Sequence, residues 1–99
     1  MKSLIQLVRS AEFTLNFEPE YDEHVDRSWE NWFERTCRRY RSAIGNLIME
    51  GGGSYQGGVG DHSLDLGGVF VISEDGYRGL LSQWAAAARM QLEPQAVPA

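Results

Sequence analysis

His62 stands in the run Gly60-Asp61-His62-Ser63-Leu64-Asp65, where an imidazole, a hydroxyl and two carboxylates fall within five residues. Those types could make an imidazole base, a serine nucleophile and an orienting aspartate. The spacing argues against it, because neighbouring side chains point apart and triad members normally come from separate elements. Polar residues of a turn or hairpin account for the same run more simply. His62 and the glycine-rich segment around it therefore anchor an alternative reading only, a small enzyme or ligand-binding domain.

A second cluster is Glu20, Asp22, Glu23 and His24. Its spacing is not that of a calcium loop, and an acidic start to a helix explains it without a metal. Cys37 is the single cysteine, so no internal disulfide can form, and its place beside an apolar stripe reads as a structural thiol. The chain has no phosphate-binding GK[ST], no GxGxxG between strand and helix, no HExxH, no CxxC and no GxSxG. The expectation is no catalytic residue, no cofactor and no metal.

The charge pattern is the more specific signal. Residues 12–34 carry Glu12, Glu18, Glu20, Asp22, Glu23, Asp26, Glu30 and Glu34 against Arg27 alone, and residues 35–41 then carry Arg35, Arg38, Arg39 and Arg41. On a helix, Asp22, Asp26, Glu30 and Glu34 would rise about 6 Å apart, near the phosphate spacing of a nucleic-acid strand, so a nucleic-acid mimic is one reading. The row would turn about 40° per step, and Glu23–Arg27 and Glu34–Arg38 are favourable pairs four apart. A solvated helix face with ion pairs is the plainer account. As a contact surface, the stretch puts forward Asp26, Glu30, Glu34, Arg35, Arg38 and Arg39 as protein-binding residues.

The elements that position these groups follow from periodicity. Val25, Trp29, Trp32, Phe33, Thr36, Tyr40, Ala43, Ile44 and Leu47 recur at three- and four-residue steps. They predict one long amphipathic helix over about 22–50, capped by Asp22 and ended at Gly51-Gly52-Gly53, with Trp29, Phe33 and Tyr40 in the core. Tyr77, Leu80, Leu81, Trp84 and Ala88 predict a second helix over about 76–92. Ser73 or Asp75 is its candidate cap. Residues 51–68 hold eight of the eleven glycines and read as a flexible loop or a hairpin, leading into a strand through Ile72. Phe13, Leu15 and Phe17 alternate with polar residues and predict extended structure over the N-terminal segment. Leu4, Leu7, Val8 and Ala11 would also fit a short helix capped by Ser3.

The expected fold is α+β: a small antiparallel sheet, an N-terminal strand or hairpin plus the glycine-rich hairpin, packed against two amphipathic helices. One domain over 1–93 and a tail at 94–99 are expected from 99 residues that are 42% apolar, with three tryptophans. No run approaches a membrane span, and the start is too short and polar for a secretory leader, so a cytoplasmic protein is expected. A net charge of −5 disfavours direct nucleic-acid binding. In size, acidity and want of catalytic motifs the chain is like small accessory proteins that act by binding, phage-encoded inhibitors of bacterial defence complexes among them, though no motif carries that likeness. The leading expectation is thus a small acidic protein-binding module, an inhibitor or adaptor, with a protein partner; a self-associating structural subunit, a homo-oligomer, is a third reading.

Overall fold

The computed structural model describes residues 2–17, 20–57 and 60–92. Its order is α1 (Leu4–Asn16), α2 (Trp29–Gly51), β1 (Ser54–Gly57), β2 (His62–Leu66), β3 (Val69–Ser73) and α3 (Gly76–Leu92). This is an α+β fold, with three helices beside a three-stranded antiparallel sheet ordered β1-β2-β3. The expected tail at 94–99 lies outside the described residues.

The N-terminal segment is a helix, which corrects the extended structure expected there. Ser3 Oγ accepts a hydrogen bond from the Gln6 amide, and Gln6 Oε1 accepts one from the Ser3 amide, a reciprocal capping box. Leu7, Val8 and Ala11 then share one buried face. The alternation of Phe13, Leu15 and Phe17 has another meaning: Phe13 and Phe17, four apart, lie on the exposed side with ring centres 4.6 Å from each other.

The sheet is built on a tight turn. Gly67 and Gly68 both have positive φ, +61° and +82°, the conformation that a two-residue hairpin between right-twisted strands requires. Asp65 pairs with Phe70, Leu64 with Val71 and Ser63 with Ile72, while β1 sets Tyr55 beside Leu64. Strand alternation sends Leu64, Leu66, Val69 and Ser73 into the core, and leaves Phe70 and Ile72 exposed on the outer face. The glycine-rich segment is therefore a hairpin arm in its described part.

Helix α3 is the hub, in contact with β2, β3, α1 and α2. Its buried face is Leu80, Leu81, Trp84, Ala85 and Ala88, as its periodicity predicts. Trp84 is wholly enclosed, and its indole N–H donates to the Leu66 carbonyl at 3.0 Å. Ser73 is buried and its hydroxyl accepts from the Asp75 amide at 3.0 Å, which shapes the entry to α3. Arg89 bridges to Glu12 and ties α3 to α1.

Helix α2 starts seven residues later than its pattern predicts. Asp22 does not cap it. Instead the Asp22 carbonyl accepts from the Val25 and Asp26 amides and its side chain accepts from the His24 amide, closing a separate turn. Ser28, in extended conformation, caps α2 by accepting from the Asn31 amide at 3.2 Å. Gly52, at φ +72°, ends it. Thr36, Tyr40, Ile44, Leu47 and Gly51 are the buried positions of α2, and none precedes Thr36. Tyr40 and Trp84 are thus core residues as expected. Trp29 and Phe33 are not: they are 63% and 49% exposed.

These placements predict opposite outcomes for two tryptophans. Trp84→Ala should cost about 3–5 kcal/mol and leave the Leu66 carbonyl without its donor. Trp29→Ala should stay within about 0.5 kcal/mol of the parent chain. Denaturant unfolding of the two variants measures both, and equal losses would show that the first turns of α2 are packed.

Candidate functional site: the overhang of α2

The buried part of α2, Thr36 to Gly51, runs about 24 Å, and the two turns before it project about 10 Å further. This overhang carries the aromatic residues. Trp29 and Phe33 stack with ring centres 5.4 Å apart, and Trp29 also meets Trp32 at 5.7 Å. Their spacing continues the stripe of Thr36, Tyr40, Ile44 and Leu47, so the core-facing periodicity persists where the body of the protein has ended.

A clamp holds the preceding loop against the overhang. Arg35 grips Asp26 with two parallel hydrogen bonds, Nε to Oδ1 at 3.0 Å and Nη2 to Oδ2 at 2.8 Å, and Nη2 also donates to the Glu20 carbonyl at 3.0 Å. Asp26 Oδ2 accepts from the Asp22 amide, and the Tyr21 hydroxyl donates to the Asp26 carbonyl. Asp26 is only 3% exposed. The bond from Arg35 holds its carboxyl below the usual carboxylate range, against the opposing effect of burial, and Asp26 in turn holds the Arg35 charge more firmly.

This divides the six residues that the charge pattern puts forward. Glu30, Glu34, Arg38 and Arg39 are exposed on α2. Asp26 is buried, and the Arg35 guanidinium is engaged with it, so these two shape the loop instead of facing solvent together with the others. The expected row of four acids is not formed either. Asp22 and Asp26 precede the helix, and only Glu30 and Glu34 of the row lie on it.

Beside the overhang lies an open groove of about 330 Å³, lined by Phe33, Glu34, Cys37, Arg38, Arg41 and Tyr77. Its floor is apolar and its rim carries the Glu34 carboxylate and two arginines. Cys37, one of its lining residues, is half-buried.

The glycine-rich alternative has a defined geometry too. His62 is half-buried, its Nδ1 meets the Tyr55 hydroxyl, and its ring lies 5.8 Å from Tyr55 and 5.2 Å from Tyr77. Gly57 makes this packing fit, because a Cβ there would stand 2.4 Å from the Tyr55 hydroxyl. Burial, and then the neighbouring Tyr77 hydroxyl, push Tyr55 up to about 12, so its phenol stays protonated at neutral pH. Ser63 follows His62 in β2 and points to the opposite face, so the two do not form a nucleophile–base pair. The Glu20, Asp22, Glu23 and His24 cluster is exposed, and among the described residues no three His, Cys, Asp or Glu side chains converge as a metal site. No helix of the described residues is long and apolar enough to cross a membrane.

Comparison with protein-family models, with curated proteins and with solved structures gives no match to this chain.

The exposed aromatics Trp29 and Phe33 are residues that the periodicity assigns to the core. A signal of their exposure was present. A helix over 22–50 would be about 43 Å long, more than a domain of this size can cover from end to end.

Releasing the clamp tests the loop geometry. Because the Asp26 carboxyl is depressed in the folded chain, the clamp contributes fully above the ordinary carboxylate pKa of about 3.9, and its contribution is lost as pH falls through the lower folded value. Asp26→Asn should do the same at neutral pH. Amide exchange in residues 20–28 should then quicken, while exchange in α3 stays unchanged. Unaltered exchange in the loop would show that Arg35 does not hold it.

Proposed function

We propose that this chain is a small protein-binding module, acting in the manner of an inhibitor or adaptor, and that its contact surface is the overhang of α2. The observation that carries this reading is the stacked, exposed Trp29–Phe33 pair on a stripe with core periodicity. Apolar side chains in a contiguous exposed patch mark contact sites more often than inert surface. Trp and Arg are also the residues most enriched among those that dominate binding energy. Glu30, Glu34, Arg38 and Arg39 surround the patch and supply the polar rim of such a contact. The overall charge of −5 supports a protein partner over a nucleic acid.

A ligand-binding role for the His62 region has less support. Its imidazole packs in a three-ring cluster with Tyr55 and Tyr77, and the neighbouring phenol is held neutral.

Trp29→Ala combined with Phe33→Ala is the direct test. The double variant should unfold like the parent chain, because neither residue is buried. Its affinity for a captured partner should fall by about 30-fold or more, the equivalent of at least about 2 kcal/mol. Quantitative pull-down followed by titration of the recovered partner measures it. Undiminished affinity in the folded double variant would remove the overhang from the contact surface.

A further inference from the structure

The overhang carries two features that a second copy of the same chain satisfies together. One is the apolar pair Trp29 and Phe33, of which Phe33 also lines the groove between α2 and α3 together with Cys37 and Tyr77. The other is the order of charge along that face. Glu30 and Glu34 come first, and Arg38 and Arg41 follow one to two turns later; all four side chains are exposed. A helix face that is acidic at one end and basic at the other is complementary to itself when reversed. Two copies laid parallel would set like charges side by side.

We propose that two copies of this chain pair antiparallel through the α2 overhang about a two-fold axis. This rests on the preceding reading of the overhang as a protein-contact surface, and it names the occupant of that surface. Phe33 of each copy comes opposite Cys37 in the groove of the other, and Trp29 lies at the end of that groove beside Arg41. Glu30 faces Arg41 of the second copy and Glu34 faces Arg38 of the second copy, each contact occurring twice by symmetry. Each of these contacts centres the two-fold axis near residues 35–36 of α2, so one antiparallel register holds them all. Glu30, Glu34 and Arg41 fall within about 40° of one another around α2, Cys37 borders them on the side of Phe33, and Arg38 lies on the other side. The apolar side chains left open by the short body are then covered without a foreign partner. An interface of this kind is isologous and closes at two copies.

The test is sedimentation of the full-length chain over a wide concentration range, with three charge variants. The parent chain should pass from monomer to dimer, and the dimer should weaken as salt rises. Glu30→Arg with Glu34→Arg makes the face wholly basic, and Arg38→Glu with Arg41→Glu makes it wholly acidic. Each double variant alone should dimerise at least about tenfold more weakly than the parent. An equimolar mixture of the two should restore dimers, because every facing pair is again of opposite sign. Restoration shows that the four charges face one another across the contact, and the antiparallel sense is read from the parent, whose dimer weakens with salt where a parallel pair of like charges would strengthen. All four residues are exposed, so the variants should keep the parent melting temperature.

A parent chain that remains monomeric up to about millimolar concentration, beyond the weakest interactions of this class, would overturn the pairing. If Trp29 and Phe33 still governed capture of another protein in that case, the contact-surface reading would stand and only the second copy would fall. Dimers that survive both charge variants and Phe33→Ala would also overturn it and would point to another surface, the exposed Phe70 and Ile72 of β3 being the first to examine. Two double variants that fail to pair when mixed would overturn the charge contacts, and a parent dimer that strengthens with salt would overturn the antiparallel sense.

Discussion

One helix is longer than the body that packs against it, and much of the rest follows from that mismatch. The protein extends 54 Å in one direction and 29 by 25 Å in the others. Helix α2, at 23 residues, is about 34 Å long. From Thr36 onward it is anchored through Tyr40, Ile44, Leu47 and Gly51. Before Thr36 it has the amphipathic pattern of a packed helix and no buried position. An unsupported helix end of two turns is marginal in water, so local devices matter there. The Ser28 cap satisfies an amide of the first turn, and the Asp26–Arg35 clamp braces the overhang with the loop that precedes it. The same clamp removes one acid and one arginine from the field presented to solvent. That leaves Glu30 and Glu34 followed by Arg38, Arg39 and Arg41.

The hydrophobic pattern was reliable about which residues share a face and silent about what that face meets. In α3 the two coincide: Leu80, Leu81, Trp84 and Ala88 are periodic and buried, because β2 and β3 lie opposite them. In α2 they coincide from Thr36 and part company before it. Trp29 and Phe33 have the spacing of core residues, yet both are left exposed. In α1, two patterns compete over the same residues. Alternation at Phe13, Leu15 and Phe17 suggests a strand, but the Ser3–Gln6 capping box and the Leu7–Val8–Ala11 face prevail. The start of α2 was displaced for a related reason. Asp22 has the chemistry of a helix cap and uses it on a turn of its own, while Ser28 takes the cap position. Pairing of distant residues such as Asp26 with Arg35, nine apart across a bend, is set by tertiary geometry that no periodicity encodes.

The residues with the most reactive side chains are engaged in structure. His62 has an aspartate and a serine beside it in sequence, but strand alternation separates His62 from Ser63, and the imidazole packs in one cluster with the rings of Tyr55 and Tyr77. The Tyr55 hydroxyl meets the imidazole while its burial keeps the phenol neutral. The local composition is that of a reactive site, and the topology gives the stretch a packing role at the margin of the sheet. The surface with unmet physical demands is elsewhere, at the exposed aromatic rings of α2 and the oppositely charged segments beside them.

Amide hydrogen exchange along α2 tests this account most directly. In dilute solution, residues 29–35 should exchange far faster than residues 36–51, because only the latter are covered by the body. Protection of residues 29–35 should rise when the overhang is occupied. Equal, slow exchange along the whole of α2 in a dilute monomer would contradict the account, because it would mean that the first turns of the helix are already packed within the single chain.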